Sequence, residues 1–331
     1  MLKIRDPVKI MDIELMPENI RELLKYRKLF EVVKLSVETG LYSHMDTPKT
    51  VSDLSEATGI EPGFLERLLK ALGKFGYVQI LKDGDKIAYV NTPVSDQYLN
   101  SDSLTYIGTK VFEDIETGTL LQNYIREGPA TVTITNDFWS PELLEWIASM
   151  SLTGGVQSTV SVVDLSGRKK MLDIGGGHGL YSIFFTKKYP GLRSYVLDLP
   201  QVAELTKNYI AKFNAEGQVE AIPGDYHDLK TAEKYDVVLV SNVTSSLEDF
   251  KYLMSLSYEL LEKGGLIVLR NYVSDLADDW SSLVALERFS RRGKDSFSSV
   301  QIMDALKGAG FATIKKLYSA EGILILQAEK P

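Results

Sequence analysis

Lys170-Met171-Leu172-Asp173-Ile174-Gly175-Gly176-Gly177-His178-Gly179 is a short apolar strand that ends in an acid and runs into four glycines within five residues. Glycines at that point let the backbone turn tightly and let a ligand approach the amides that open the next helix. Outward from it, strand and helix patterns alternate to the end of the chain. Ser194-Tyr195-Val196-Leu197 and Val219-Glu220-Ala221-Ile222 read as the next two strands. Tyr235–Val240 and Gly265–Leu269 are continuous apolar runs, as expected of strands buried on both faces. Helical segments separate them, so residues 169–331 are expected to form an α/β domain with a doubly wound, Rossmann-like sheet. Thr313–Tyr318 and Gly322–Gln327 form a closing hairpin, which adds at least one antiparallel strand.

Upstream, residues 1–100 read as a mainly helical domain. Leu29, Val32, Val33, Ser36 and Val37 recur at helical spacing up to Gly40. Thr50 caps a second helix that Gly59 ends, and Pro62 opens a third with Phe64, Leu65, Leu68, Leu69 and Leu72 on one face. Tyr77–Leu81 and Lys86–Val90 flank Asp83-Gly84, a hairpin signal. Helix-turn-helix plus hairpin is a winged helix. Residues 101–168 read as a helical segment carrying Tyr106, Phe112, Tyr124, Phe138, Trp139 and Trp146, punctuated by Gly128-Pro129 and Gly154-Gly155.

The bulk numbers fit two domains: 331 residues, 44% hydrophobic and 25% charged. No apolar run approaches the ~20 residues that span a bilayer, and Met1–Pro7 lacks the apolar core of a signal peptide. There is no cysteine, and His44, His178 and His227 are far apart, so neither a disulfide framework nor a metal site is expected. A net charge of −8 argues against broad phosphate-backbone binding. These features predict a soluble cytoplasmic protein with no nucleic-acid or membrane partner.

The glycine loop invites a dinucleotide reading, which requires Gly-x-Gly-x-x-Gly/Ala. Counting from Gly175 and Gly177, the third position is Leu180, and the test fails. What remains, Gly-x-Gly-x-Gly after an acid, resembles S-adenosylmethionine enzymes, whose ligand has a carboxylate and an ammonium in place of a pyrophosphate. Asp198 ends the second strand 21 residues after Gly177, where a ribose-binding acid belongs. Asp225 can accept from an adenine amine, and Tyr226 can pack on the purine face. Ser241 and Asn242 end the fourth strand, facing the methyl-donor end. Taken singly, Asp198 is a solvated strand end and His178 a loop residue rather than a ligand. The ordered set of Asp173, Gly175, Gly177, Gly179, Asp198 and Asp225 carries the assignment.

Leu-Asp-Ile-Gly-Gly-Gly-His-Gly at 172–179 and Leu-Asp-Leu-Pro-Gln-Val at 197–202 resemble the small-molecule O-methyltransferases, a family of plant caffeate-type, acetylserotonin-type and bacterial polyketide-tailoring enzymes. Leu35–Gly76 resembles that family's winged-helix dimerisation domain. Asn91-Thr92-Pro93-Val94 with Tyr98-Leu99, and Ala309-Gly310-Phe311, resemble later family segments. The resemblance implies a homodimer through the N-terminal domain, Asp198 and Leu199 at the cofactor, and methyl transfer to an acceptor oxygen that leaves S-adenosylhomocysteine. It also places Trp146, Met150 and Thr153 on one wall of an acceptor pocket and Leu286 and Phe289 on the other. Plain core packing is the competing reading of those five.

The pattern breaks at the catalytic base. The family's His-Asp-Trp-like motif falls on Thr244–Asp249, with Ser245 in the His position, and its two orienting acids fall on Asn271 and near Asp295. A neutral serine cannot collect a proton near pH 7 without a base of its own. Three outcomes are open. The acceptor needs no base, or His227 supplies one, or the chain binds the cofactor for C, N or S methylation or for other chemistry. A DNA-binding regulator is the alternative from another class. Against it, Pro62–Phe75 is only mildly basic and Lys82–Asp85 at the hairpin tip is near neutral.

Overall fold

Helix α1 (Glu18–Glu38) ends where Gly40 takes a left-handed φ of 67°. Helix α2 (Val51–Thr58) starts on a reciprocal cap: the Asp53 amide donates to the Thr50 hydroxyl, and the Thr50 amide donates to the Asp53 carboxylate. Helix α3 (Pro62–Lys74) has Pro at its first turn, and the Glu61 carboxylate accepts the Gly63 and Phe64 amides. Its leucine face, Leu65, Leu68, Leu69 and Leu72, is buried against Val33, Val37, Tyr42 and Leu54. Strands β1 (Val78–Asp83) and β2 (Lys86–Asn91) pair with Asp83 opposite Lys86. The hairpin tip is therefore Gly84-Asp85, one residue later than the Asp83-Gly84 signal suggests, because the positive φ falls on Gly84 as the first turn residue. Helix α4 (Pro93–Tyr98) follows, and the set is a winged helix.

The structure is a computed structural model that describes residues 17–108, 117–128, 139–276, 278–293 and 295–331. Phe112, Pro129 and Phe138 lie outside them. Two compact units emerge, Met1–Glu113 and Asp114–Pro331. No helix of the described residues is long and apolar enough to cross a membrane.

The second unit opens with α5 (Thr117–Glu127), α6 (Pro141–Met150), a π-helical turn at Ser151–Gly155, and α7 (Val156–Val162). Strand and helix then alternate: β3 (Lys170–Ile174), α8 (Leu180–Lys188), β4 (Arg193–Asp198), α9 (Pro200–Lys212), β5 (Val219–Pro223), β6 (Tyr235–Ser241), α10 (Leu247–Leu260) and β7 (Leu261–Tyr272). Helices α11 (Asp279–Arg292) and α12 (Ser299–Gly308) precede the closing β8 (Ala312–Ala320) and β9 (Ile323–Glu329). Strand order is β5-β4-β3-β6-β7-β9-β8. The first five are mutually parallel, and β9 enters antiparallel between β7 and β8.

Both faces of the sheet are covered, which is why β6 and β7 read as unbroken apolar runs. Leu172, Ile174, Val238 and Val240 pack with Phe250 and Leu253 of α10 and Ile302 of α12. On the other face, Met171, Val196 and Leu239 pack with Ile183 and Phe185 of α8. Strand order reverses between β3 and β6. At such a switch point the loops part and leave a crevice at the carboxyl ends of the strands.

Candidate active site

The glycine loop forms the floor of that crevice. Gly175, Gly177 and Gly179 have φ of 64°, 54° and 71°, a region L side chains rarely enter. Space forbids side chains as well: a Cβ on Gly175 would lie 2.9 Å from Val243, and one on Gly179 would lie 2.9 Å from Thr206. The Thr206 hydroxyl bonds the Gly177 carbonyl and ties the loop to α9. His178 ties it to the π-helical turn. The Leu180 amide donates to its Nδ1 at 3.1 Å, so the ring proton sits on Nε2, 2.9 Å from Ser151 Oγ. Burial, helped by the nearby Arg270 charge, holds His178 down to about 3, so the ring stays neutral. It is a buried structural tie between the loop and the π-helical turn.

Asp173 and Asp198 have different surroundings. Asp173 is fully buried on the α8 side; its Oδ2 accepts from Ser182, which in turn accepts from Ser194. Its Oδ1 has no partner. Burial pushes this carboxyl up to about 7, against the Ser182 hydrogen bond and with help from Asp198. Asp198 is only partly buried, at the rim. Its Oδ2 accepts the Gly177 amide and its Oδ1 the Leu199 amide, both at 2.8 Å. Burial raises its pKa, and the two amides oppose that shift. A carboxylate so anchored keeps a lone pair on each oxygen, which suits two adjacent hydroxyls. The residues therefore fit the adenosyl cofactor: a bare glycine turn whose backbone a ligand can approach closely, with a diol acceptor beside it.

Beyond β5, Asp225 does not stand free. Its Oδ1 accepts from the His227 amide at 2.9 Å and lies 2.8 Å from His227 Nδ1. His227 Nε2 lies 2.8 Å from Asp249 Oδ1, and Tyr226 donates its hydroxyl to Asp249 Oδ2 at 2.7 Å. The imidazole packs against the rings of Tyr226 and Tyr252, with centroids 4.2 and 5.4 Å away. Burial works against the imidazolium, but the hydrogen bonds and charges of Asp225 and Asp249 outweigh it and raise His227 above its usual value. Both ring nitrogens are thus engaged by carboxylates, which leaves neither turned to a methyl acceptor.

Ser241 and Asn242 close β6. Asn242 has a positive φ of 55°, and its Oδ1 accepts the Tyr272 amide at 2.9 Å, which fastens the ends of β6 and β7. One cavity is lined by Asn242, Thr244, Ser245, Asn271, Arg288 and Asp295, among others. The three positions singled out from the family motif, Ser245, Asn271 and Asp295, are thus brought together. His227 lines a different cavity, with Ser246, Asp249 and Tyr252. The residues suggested for the acceptor walls lie on α6, the π-helical turn and α11. Trp146 is half-buried on α6, Met150 is exposed, and Thr153 bonds the Met150 carbonyl. On α11, Leu286 is exposed and Phe289 packs on Tyr124, with ring centroids 5.7 Å apart. Among the described residues, no group of three His, Asp or Glu side chains is arranged to hold a metal ion.

Sheet order, glycine loop and rim carboxylates define a class I S-adenosylmethionine-dependent methyltransferase fold. Residues 147–312 match the O-methyltransferase domain, and residues 20–101 match the O-methyltransferase dimerisation domain. The chain belongs to the O-methyltransferase family and is an S-adenosylmethionine-dependent methyltransferase for small molecules. It is 25% identical over 261 residues to an uncharacterised protein of Methanocaldococcus jannaschii, covering 77% of this chain and 69% of that one. It is 32% identical over 133 residues to the L-tyrosine C(3)-methyltransferase of Streptomyces lavendulae, covering 40% of this chain and 36% of that one. Human N-acetylserotonin methyltransferase, solved with S-adenosylmethionine, has a similar fold: TM-score 0.76 at 20% identity, over 100% of this chain and 99% of that one. The winged helix belongs to the dimerisation domain, and the DNA-binding regulator reading finds no support. Helix α3 agrees, since its leucine face is buried within its own unit and Lys70 is paired with Glu66.

Proposed function

We propose that this methyltransferase works without an imidazole base, on an acceptor that is already nucleophilic when bound. The observation that carries this is the cavity at the ends of β6 and β7, where Ser245 and Asn271 stand together and no described histidine contributes. An acidic phenol or enol, ionised near neutrality, meets the requirement. The cofactor supplies an electrophilic methyl group on sulfur. The protein's part is orientation, which can lower a barrier by ~7–11 kcal/mol, whereas a general base typically adds ~10²–10⁴-fold. In this reading Asp198 accepts from the ribose hydroxyls, with Leu199 beside it, Asp225 and Tyr226 border the adenine, and Asp173, Gly175, Gly177, Gly179, Ser241 and Asn242 surround the amino-acid end. Trp146, Met150, Thr153, Leu286 and Phe289 supply apolar contacts to the acceptor. A ring carbon beside an ionised hydroxyl is the second reading, supported by the relative named as a tyrosine C(3)-methyltransferase.

Rate against pH across a set of phenols tests the proposal. The inflection in kcat/KM is expected to follow each acceptor's own acidity. The S245H/N271E variant is expected to add an enzyme-borne inflection near the ordinary histidine value of ~6.5 and to speed weakly acidic acceptors by ~10²-fold or more. A wild-type inflection that stays fixed across acceptors overturns the reading. The position of the new methyl group, read by NMR, separates oxygen from carbon transfer.

The acceptor site is further proposed to operate in a homodimer joined through the first unit. Helix α1 leaves Leu23 67% and Tyr26 55% exposed, more apolar surface than a lone helix face usually shows to water. Light scattering is expected to give twice the 37.0 kDa chain mass, and a monomer at micromolar concentration contradicts it.

A further inference from the structure

Arg270 sits in a place where an arginine is costly. It lies on β7 opposite Ser241 of β6, one step beyond the Val240–Leu269 pair that is level with Ile174 of β3. That puts it on the rim of the switch-point crevice, on the sheet face that carries α7 and α8. It is 5% exposed, and its Nε has no hydrogen-bond partner. Among the described residues the guanidinium makes no ion pair and no hydrogen bond; its neighbours are the rings of Tyr181 and Tyr272, 6.0 and 5.3 Å from Cζ. An ion buried without a counter-charge costs several kcal/mol.

The surroundings are close-packed and polar, and glycine at 155 is what lets the backbone come this near the guanidinium. Gly155 has an ordinary helical φ of −61°, so the backbone does not demand glycine there. A Cβ at that position would lie 3.0 Å from the Tyr181 hydroxyl and 3.4 Å from Arg270 Nη2. The Tyr181 hydroxyl in turn interacts with the Ser151 and Ser241 side chains, and Ser151 holds His178 of the glycine loop. Hydroxyls and a planar five-donor cation converge at the carboxyl end of the sheet, beside the glycine loop. A guanidinium fork matches a carboxylate in shape and charge.

We propose that Arg270, with Tyr181 and Ser151, forms a carboxylate-binding subsite beside the glycine loop. This deepens the methyltransferase reading and rests on it. The carboxylate belongs to the amino-acid end of the cofactor or to an acidic acceptor, and each source has its own arm of the test.

Binding is measured for wild type, R270M and R270K by calorimetry, with S-adenosylhomocysteine, with 5′-methylthioadenosine, which lacks the amino-acid end, and with benzoate added to the S-adenosylhomocysteine complex. If the cofactor supplies the carboxylate, R270M loses at least ~10-fold for S-adenosylhomocysteine and nothing for 5′-methylthioadenosine. If the acceptor supplies it, S-adenosylhomocysteine is unaffected and benzoate binding is lost. In both cases ligand-free R270M is expected to melt at or above the wild-type temperature, because an uncompensated charge has been removed. R270K keeps the charge without the fork and shows the same selective loss in weaker form, which guards against a misfolded methionine variant. Wild-type affinities in both variants overturn the subsite. Failure of wild type to bind either adenosyl compound overturns the cofactor reading instead; benzoate is then titrated into the free protein, and binding that depends on Arg270 sustains the subsite.

Discussion

Replacing Asp198 with alanine is expected to weaken S-adenosylmethionine binding by ~10²–10⁴-fold with the sheet intact. Hydrogen bonds to a charged group contribute ~1.5–3 kcal/mol each, and two ribose hydroxyls on one carboxylate give about 3–6 kcal/mol. At ~1.4 kcal/mol per decade, that is the stated range. The variant also frees the Gly177 and Leu199 amides that Asp198 now holds at 2.8 Å. D198N is expected to fare little better. One side of its amide would point an N–H at a backbone N–H, so either Gly177 or Leu199 loses its partner. Because burial raises the Asp198 pKa, binding should fall as pH drops through a value above the ordinary carboxylate range. That acid limb should vanish in D198A. Calorimetry with S-adenosylmethionine and S-adenosylhomocysteine reads the effect, and far-UV circular dichroism checks the fold. An affinity within threefold of wild type would remove Asp198 from the site.

Asp173 is expected to reveal itself in stability. Its carboxyl is fully buried with one oxygen unpartnered, and burial pushes it up to about 7. A folded-state pKa above the unfolded one means that the folded chain holds the proton longer. The resulting stability is complete below the unfolded value of ~3.9 and is lost as pH rises through about 7. Wild type should therefore weaken between roughly pH 4 and 7 and level off above. D173N keeps an acceptor for Ser182 and cannot ionise. Its melting temperature should be flat across that window from this source and higher than wild type at pH 8. At ~1.4 kcal/mol per pKa step the gap reaches about 4 kcal/mol. Thermal melts at pH 5 and pH 8 decide it: parallel curves for the two proteins would mean that Asp173 is already ionised in the fold.

How much of this was legible in the sequence depended on whether the deciding contact was local. The β3 strand and its glycines were readable because backbone turn and ligand approach both act within ten residues. The Thr50 and Asp53 cap and the proline start of α3 are local for the same reason. The hairpin tip moved by one residue because register is set by cross-strand pairing. His227 read as a loop residue near Asp225, yet its second carboxylate, Asp249, comes from the start of α10 across the crevice rim. His178 owes its neutrality to Ser151 and to burial, neither of which its own loop discloses. Arg270 left one faint mark, a charge directly after the apolar run Leu266–Leu269. Spacing could not say whether that charge reached water. The motif positions Ser245, Asn271 and Asp295 did converge, because the ends of β6 and β7 lie side by side in the sheet.

The closing hairpin has a bearing on how copies of this chain can meet. Edge strand β8 pairs with β9 through two irregular steps, has a left-handed Thr313, and turns Lys315 and Lys316 outward. The opposite edge, β5, is five residues long and finishes in Pro223. Kinks, lysines and a residue lacking an N–H are features that discourage a foreign strand from joining a sheet. Both flanks of the catalytic sheet are thus closed to β-augmentation and to runaway stacking, so self-association has to proceed through side-chain surfaces of a finite, self-limiting kind.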